Sequence, residues 1–310
     1  MLRKPRKVLL SGVLVVIGLA APAASALTSA AAQPLAAPAA PSHAAAPGLY
    51  HVPIIDPVVI PGISGLSSIL GGRADATDVQ SANWAGYADV NDTYNSVASS
   101  WTEPTANCNN SGGGGGLLGG LGLGSLFGGP SSASSFWVGL DGYTSSSVEQ
   151  IGTDSDCNGS SPSYYAWYEM YPNPSVTLPS QYVVNPGDHM TALVSSNTGG
   201  TSFGLAIKDT TAGWMFSTTQ TGSGFSRSSA EVIAEAPSSC DLIFCSEVPL
   251  TDFGTVTYSG SAIADSANKS GTLSSFDADQ ITMNNNGTVQ ATPSNLSPDG
   301  SAFSVTWDNS

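Results

Sequence analysis

The chain has 310 residues, with 8 Lys and Arg against 23 Asp and Glu, and a formal net charge of −15 at pH 7. From Asp78 onward it holds 21 of the acidic residues but only Lys208, Arg227 and Lys269 as cations, which argues against nucleic acid or an anionic membrane surface as a partner. The same scarcity of cations leaves little net charge once carboxylates are neutralised, so the composition suits acid surroundings.

Arg3, Lys4, Arg6 and Lys7 precede an apolar stretch, and Ala24-Ser25-Ala26 follows as a small-residue cleavage site. That is the pattern of a secretory signal over residues 1–26. The apolar stretch, about thirteen residues, falls short of the roughly 20 that a spanning helix needs. A secreted, extracellular protein with no membrane attachment after signal removal is therefore expected. Residues 27–78 are rich in Ala and Pro and include Val52-Pro53-Ile54-Ile55-Asp56-Pro57-Val58-Val59-Ile60-Pro61. Prolines at that density block helix interiors and central strands, so this stretch reads as a pro-segment or linker.

Residues 79–310 suit one domain with a sizeable core. Val/Thr/Tyr/Phe/Trp-rich runs recur between Gly, Asn, Ser, Asp and Pro clusters, and no long segment keeps a helical period. Strands are predicted at 81–90, 97–102, 136–140, 148–152, 163–171, 190–196, 202–209, 213–219, 230–235, 254–258, 279–283 and 302–307, which makes the domain an all-β, antiparallel β-sandwich. Residues 112–129 interrupt the pattern with five consecutive glycines and a Gly/Leu tract. Ordering so many glycines is entropically costly, and no Gly-Lys-Ser/Thr follows, so this reads as a loop, either a mobile flap or, the favoured reading, a passive one, and not a phosphate site.

Residues two apart on a strand share a face. Tyr165, Trp167, Glu169 and Tyr171 fall together, as do Trp137, Gly139 and Asp141; Gln150 joins Val148, Gly152 and Asp154, and Glu231 joins Ile233 and Glu235. Large aromatics beside carboxylates suit a peptide-binding cleft better than a plain wet surface. Cys108, Cys157, Cys240 and Cys245 make an even count in an exported chain, hence two disulfides with three possible connectivities. Cys240 with Cys245 and Cys108 with Cys157 is the favoured pairing. A zinc site is disfavoured, because there is no Cys-x-x-Cys and only His189 lies in the expected mature region.

Inventory narrows the chemistry. His189 alone would have to serve a Ser-His-Asp triad and no Gly-x-Ser-x-Gly elbow is present; cysteine catalysis would break the even count, and Asp-Thr/Ser-Gly does not occur. Carboxylates and amides are left for acid and base work. A carboxylate can take a proton from water and return it to a leaving nitrogen, while a Gln amide offers both an acceptor and a donor that do not titrate.

Four segments carry a resemblance in chain order: Phe136-Trp137-Val138-Gly139-Leu140-Asp141-Gly142, Val148-Glu149-Gln150-Ile151-Gly152-Thr153, Trp167-Tyr168-Glu169-Met170-Tyr171-Pro172 and Ser229-Ala230-Glu231-Val232-Ile233-Ala234-Glu235-Ala236-Pro237. Together they resemble the glutamic peptidases, or eqolisins, acid endopeptidases that pair one Gln with one Glu. The resemblance implies two curved sheets with a concave substrate cleft, polypeptide substrates and no metal or organic cofactor; a monomer is expected. It implies Gln150 as oxyanion donor and Glu231, the first Glu of its segment, as general base and then acid. It also implies supporting roles for Trp84 (in Asn83-Trp84-Ala85-Gly86), Trp137, Asp141, Glu169 and Glu235, with Trp137 bordering the groove and Glu235 beside Glu231. A catalytic Glu with a reference pKa of about 4.3 works best at roughly pH 2.5 to 4.5. Val232 and Ala236-Pro237 depart from the fungal pattern of an aromatic and an Asp-Phe, and the pro-segment is poor in Lys, against a charge-based clamp. Two other readings compete: a jelly-roll glycoside hydrolase using Glu169 and Glu231 with Trp137 and Trp167 stacking on sugar rings, or a silent binding module.

Overall fold

The computed structural model describes residues 49–60, 77–109, 130–240 and 245–310; the expected signal peptide and the glycine-rich insertion lie outside them. In chain order the strands are β1 (Leu49–Tyr50), β2 (Val58–Val59), β3 (Asp78–Ser81), β4 (Trp84–Val90), β5 (Tyr94–Thr102), β6 (Ser135–Leu140), β7 (Val148–Asn158), β8 (Ser161–Tyr171), β9 (Val176–Thr177) and β10 (His189–Ser196). They continue with β11 (Ser202–Asp209), β12 (Trp214–Thr221), β13 (Ala230–Glu235), β14 (Ser238–Cys240), β15 (Cys245–Glu247), β16 (Thr255–Asp265), β17 (Ser270–Gly271), β18 (Asp277–Asn285), β19 (Thr288–Pro293) and β20 (Phe303–Trp307). The described residues contain no α-helix, only a 3-10 turn at Leu273–Ser275.

These strands form an antiparallel β-sandwich. The front sheet runs β8-β7-β6-β13-β4-β18, and the back sheet runs β12-β11-β10-β5-β16-β20-β19. Strand β18 joins them: Asp277 to Ile281 pair with β4, while Met283 to Asn285 pair with β19. Strand β3 adds to β18 in parallel, and β2 adds to β3.

Side-chain alternation builds the core between the sheets. Tyr87, Phe136, Val138, Ile151 and Val232 of the front sheet meet Val97, Trp101, Met190, Val194, Leu205 and Tyr258 of the back sheet. The outward residues of β10 and β12 are exposed or half-exposed, the usual pattern for an antiparallel sheet with one wet face. The front sheet differs, because every residue of β4, β6 and β13 is buried. Its outer face carries a second apolar layer of Val79, Trp84, Ala88, Trp137, Val148, Trp167, Ile233 and Ile281, flanked by Ile54, Tyr143, Tyr165 and Tyr171. Gly152 is required here: a Cβ would lie 2.3 Å from the Phe136 carbonyl oxygen and 2.5 Å from Trp137 Cβ.

Cys108–Cys157 ties the segment after β5 to the end of β7, and Cys240–Cys245 closes the β14–β15 hairpin. Several strands extend beyond the sequence pattern. Strand β16 runs on to Asp265 through a register shift between Ser259 and Ala262, since a bulge lets a Ser/Gly stretch stay in the ladder. Strand β19 is polar and ends in Pro293, which hid it from a propensity reading. Strands β1 and β2 arise within the proline-rich segment, as two-residue pieces where prolines leave donors free.

Several carboxyls are buried within this framework. Burial pushes Glu103 up to about 7, against hydrogen bonds from Thr153, Ser155 and Trp101. Burial raises Asp89 to about 8, with Asp277 adding to it, and raises Glu149 to about 10, reinforced by Asp141. Each folded-state pKa lies above the unfolded value, so each contribution to stability is fully present below about pH 4.5 and is lost as pH rises through the folded pKa. The melting temperature is therefore expected to be highest in acid and to fall across pH 5 to 10. Thermal scans at constant ionic strength check this, and Glu103→Gln should flatten the slope around pH 7; a melting temperature that rises from pH 4 to 8 would contradict it.

Candidate active site

Strand register sets two rows on the outer face of the front sheet. Glu169 of β8 pairs with Gln150 of β7, Gln150 with Gly139 of β6, and Gly139 with Glu231 of β13. Directly paired residues share a face, so Glu169, Gln150 and Glu231 point to the same side. The second row holds Tyr165, Asp154, Ser135, Glu235 and Trp84. Gly139 leaves room for the Trp137 ring, whose Cζ3 would be 2.8 Å from an added Cβ. Trp137 Nε1 then donates to Glu235 Oε2 at 2.8 Å, and Trp84 packs edge-on to Trp137 with centroids 5.0 Å apart.

Residues 49–55 cross this face. Strand β1 pairs with β14, and the chain then delivers His51 into an acidic, aromatic pocket. The imidazole lies flat on Trp167, centroids 3.4 Å apart and planes 2° apart. Its Nε2 is 3.2 Å from Asp154 Oδ1 and its Nδ1 is 3.1 Å from Glu169 Oε2. Asp154 is itself held by Ser135 Oγ, by Trp167 Nε1 at 2.7 Å and by the Tyr165 hydroxyl at 2.8 Å.

The peptide that joins His51 to Val52 is gripped from both ends. Gln150 Nε2 donates to the His51 carbonyl oxygen at 2.5 Å and to Glu169 Oε2 at 3.1 Å. Val52 N donates to Glu235 Oε1 at 3.1 Å. Downstream, Val52 O accepts from Trp84 Nε1 at 3.1 Å and Asn83 Nδ2 at 3.3 Å, while Ile55 N donates to Asn83 Oδ1 at 2.8 Å. Gln150 Oε1 is buried with no hydrogen-bond partner among the described residues.

The electrostatics follow from this burial. Burial alone would lower the His51 pKa, but Asp154 and Glu169 together outweigh it and raise it to about 10. Burial also raises Glu169 and carries Glu235 well above the usual carboxylate range, with His51 opposing in both cases. Glu231 is likewise pushed well above that range by burial, then by Asp141, Glu149 and Asp89, against the Ser229 hydroxyl.

The residues singled out from sequence separate into two groups. Gln150, Glu169, Glu235 and Trp84 bond to the segment directly, and Trp137 stands behind them, bonded to Glu235. The Glu231 carboxylate shares their face but makes no hydrogen bond to Gln150 or to the segment among the described residues. Asp141 sits at φ 70° and accepts the backbone N–H groups of Ser226, Arg227 and Ser228, which fixes the turn into β13 and does not reach the cleft groups. His51, Asp154 and Asn83 were not among the candidates. Asp154 could have been found, because it lies four residues past Gln150 on the same strand face.

A buried Gln and two buried Glu on the outer face of the front sheet thus surround a peptide unit of the chain itself. The chain belongs to the peptidase A4 family, whose model matches residues 82–307. It is 30% identical over 259 residues to aspergillopepsin-2 of Aspergillus niger, covering 81% of this chain and 86% of that protein. Two solved structures share its fold, each covering 73% of this chain and 98% of the other. One is scytalido-glutamic peptidase with a peptide-based transition state analog, at TM-score 0.59 and 24% identity. The other is SCP-B, a member of the eqolisin family, in complex with the tripeptide Ala-Ile-His, at TM-score 0.56 and 22% identity.

The Trp137–Glu235 contact has a measurable worth. Trp137→Phe keeps the ring and removes the donor, leaving a buried carboxyl oxygen unpaired at a cost of about 1–3 kcal/mol. Urea unfolding at acid pH should show a lower midpoint with an unchanged slope; an unchanged midpoint would mean that this hydrogen bond contributes nothing.

Proposed function

We propose that this peptidase cuts internal peptide bonds of polypeptides in acid surroundings outside the cell, with Gln150 and Glu235 as the catalytic pair. One observation carries the pairing: a peptide unit of the chain lies with its carbonyl oxygen on Gln150 Nε2 and its N–H on Glu235 Oε1. Hydrolysis needs a donor where negative charge develops, a base for the attacking water and an acid for the departing nitrogen. Gln150 Nε2 is aimed at the first of these. Gln150 Oε1 is an acceptor with no competing partner and can orient the water. Glu235 faces the nitrogen, so one carboxyl can take the proton from water and pass it on.

The sequence reading gave the base role to Glu231. The two glutamates are four residues apart on one strand and share a face, so a period of two cannot separate them. Contact favours Glu235, and Glu231 is better read as a buried carboxyl that supports the end of the sheet. Asp154, Glu169 and Trp167 form the neighbouring side-chain pocket. Export is supported by the signal pattern and by two disulfides, and among the described residues no helix is long and apolar enough to cross a membrane. Family membership gives no support to the sugar-acting reading.

The pH dependence follows from solvation. With residues 49–55 in place, Glu235 is fully buried and its pKa is raised. Exchange of the segment for a solvated substrate returns it toward about 4.3, so activity should peak in acid and fall on the low-pH side as Glu235 protonates. The test is hydrolysis of a denatured protein from pH 2 to 7 by variants shown to be folded. Gln150→Ala should lose about 10²–10³-fold in kcat/KM and Glu235→Gln at least as much, while Glu231→Gln should stay within about tenfold of the parent enzyme, as a group outside the contact set would. Loss of activity in Glu231→Gln with retention in Glu235→Gln would transfer the base role back to Glu231.

A further inference from the structure

We propose that the free edge of strand β12 and the uncharged cleft at its end form a second site for polypeptide substrates, holding an extended stretch of chain away from the bond that is cut. The inference rests on the reading that this peptidase acts on polypeptides, and it adds where a long one is held.

Strand β12 is the outermost strand of the back sheet. Its ladder with β11 runs over Trp214–Thr221, and among the described residues its backbone makes no hydrogen bond to anything else. One side of an eight-residue strand therefore presents unpaired donors and acceptors. Proteins ordinarily guard such an edge with Lys, Pro, a bulge or a covering element. Residues 213–226 contain no Asp, Glu, Lys, Arg, His or Pro, and the ladder has no register shift. Tyr182 packs on the Trp214 and Phe216 rings, while Met215, Ser217, Thr219 and Thr221 stay exposed, Met215 at 61%. The neighbouring edge of the front sheet is guarded: β9 pairs with β8, and Leu178 N donates to Ala166 O at 2.8 Å.

The C-terminal end of β12 opens into a cleft of about 980 Å³ between the edges of the two sheets. Its walls are residues 144–147 before β7, Tyr168 and Met170 of β8, residues 172–174, Val176 and residues 220–226. In a chain with 23 Asp and Glu, this lining has no Asp, Glu, Lys, Arg or His. Hydroxyls and amides keep their donors and acceptors in acid, so the cleft suits peptide backbone whatever the pH. Two turns join it to the catalytic face. The β6–β7 turn accepts Ile54 N at Gly142 O, 3.1 Å, and then lines the cleft with residues 144–147. The turn after β8 lines the cleft with residues 172–174 and holds Leu49 O through Ser175 Oγ at 2.6 Å. A polypeptide on the outer face can therefore continue over these rims into the cleft and on to β12. Strand addition there binds backbone groups, which every substrate has, and it raises the local concentration of the held chain at the catalytic pair. A second copy of the chain fits the edge less well, since each copy carries a formal −15 at pH 7 and would leave the cleft unused.

The test compares two substrates at about pH 4. One is denatured, reduced and alkylated serum albumin; the other is a peptide of about eight residues, roughly 26 Å when extended, taken from around one of its cleaved bonds. Ser217→Lys/Thr219→Lys alters only exposed side chains and sets two cations beside an incoming chain that is itself cationic in acid. The expected result is a KM for albumin raised about five- to tenfold with kcat unchanged, and unchanged constants for the peptide. Ser223→Lys, in the cleft, should act in the same direction. Albumin binding to folded Gln150→Ala, followed by fluorescence anisotropy, should weaken by the same factor when the two Lys are added. An unchanged albumin KM, or equal losses on both substrates, overturns the proposal and leaves the catalytic pair standing. So does sedimentation showing that the double variant turns a dimer into a monomer while the albumin KM stays the same, which assigns the edge to a second copy. If the parent enzyme cuts neither substrate, the Gln150/Glu235 reading falls, and the binding comparison alone decides the second site.

Discussion

The front sheet is covered on both faces, and its outer cover is the N-terminal segment of the same chain, held mainly by hydrogen bonds and charge. An ordinary antiparallel sandwich leaves its outer faces to water, as the back sheet does at β10 and β12. Here residues 49–55 exclude water from Gln150, Glu169, Glu235 and Asp154. Carboxyls taken out of water without a partner would be very costly. The segment offsets this by bringing its own donors: the His51 ring and backbone N–H for Asp154 and Glu169, and the Val52 N–H for Glu235. Closure of the site and satisfaction of the site are one arrangement.

The same arrangement explains why an amide stands at the centre. Around Gln150 lie a raised Glu169, a raised Glu235 and a positively charged His51. In such surroundings a second carboxyl would change its protonation with every change of neighbour, as coupled groups do. Gln150 keeps its donor and acceptor whatever the pH, so the oxyanion contact does not depend on the titration of the pocket. The variable part of the chemistry is confined to one glutamate.

Much of the fold was legible because alternation and turn residues act locally. Strands β4, β6, β8 and β13 follow from runs such as Phe136-Trp137-Val138-Gly139-Leu140, and within single strands the pairing of Trp167 with Glu169, and of Gln150 with Asp154, on one face follows from a period of two. What stayed hidden depends on distance along the chain. His51 meets Glu169 across 118 residues and Asp154 across 103, and nothing in a proline-rich stretch announces a partner so far away. The choice between Glu231 and Glu235 was hidden for the opposite reason, since the two are too alike locally. Only the reach of Trp137 and the path of the segment distinguish them.

A chain that guards its site with a histidine between carboxylates has its release tied to acidity by elementary electrostatics. At neutral pH the ion pairs hold and the cleft is filled. As pH falls, the His51 cation persists while Glu169, whose pKa burial raises, loses its charge, so this part of the attraction weakens and the segment leans more on stacking against Trp167 and on backbone hydrogen bonds. The buried carboxyls of the framework respond in the opposite direction, since Asp89, Glu103 and Glu149 are best accommodated when protonated. Acid therefore loosens the cover while it steadies the sandwich beneath, which reconciles a site that must open with a fold that must persist in the conditions that open it.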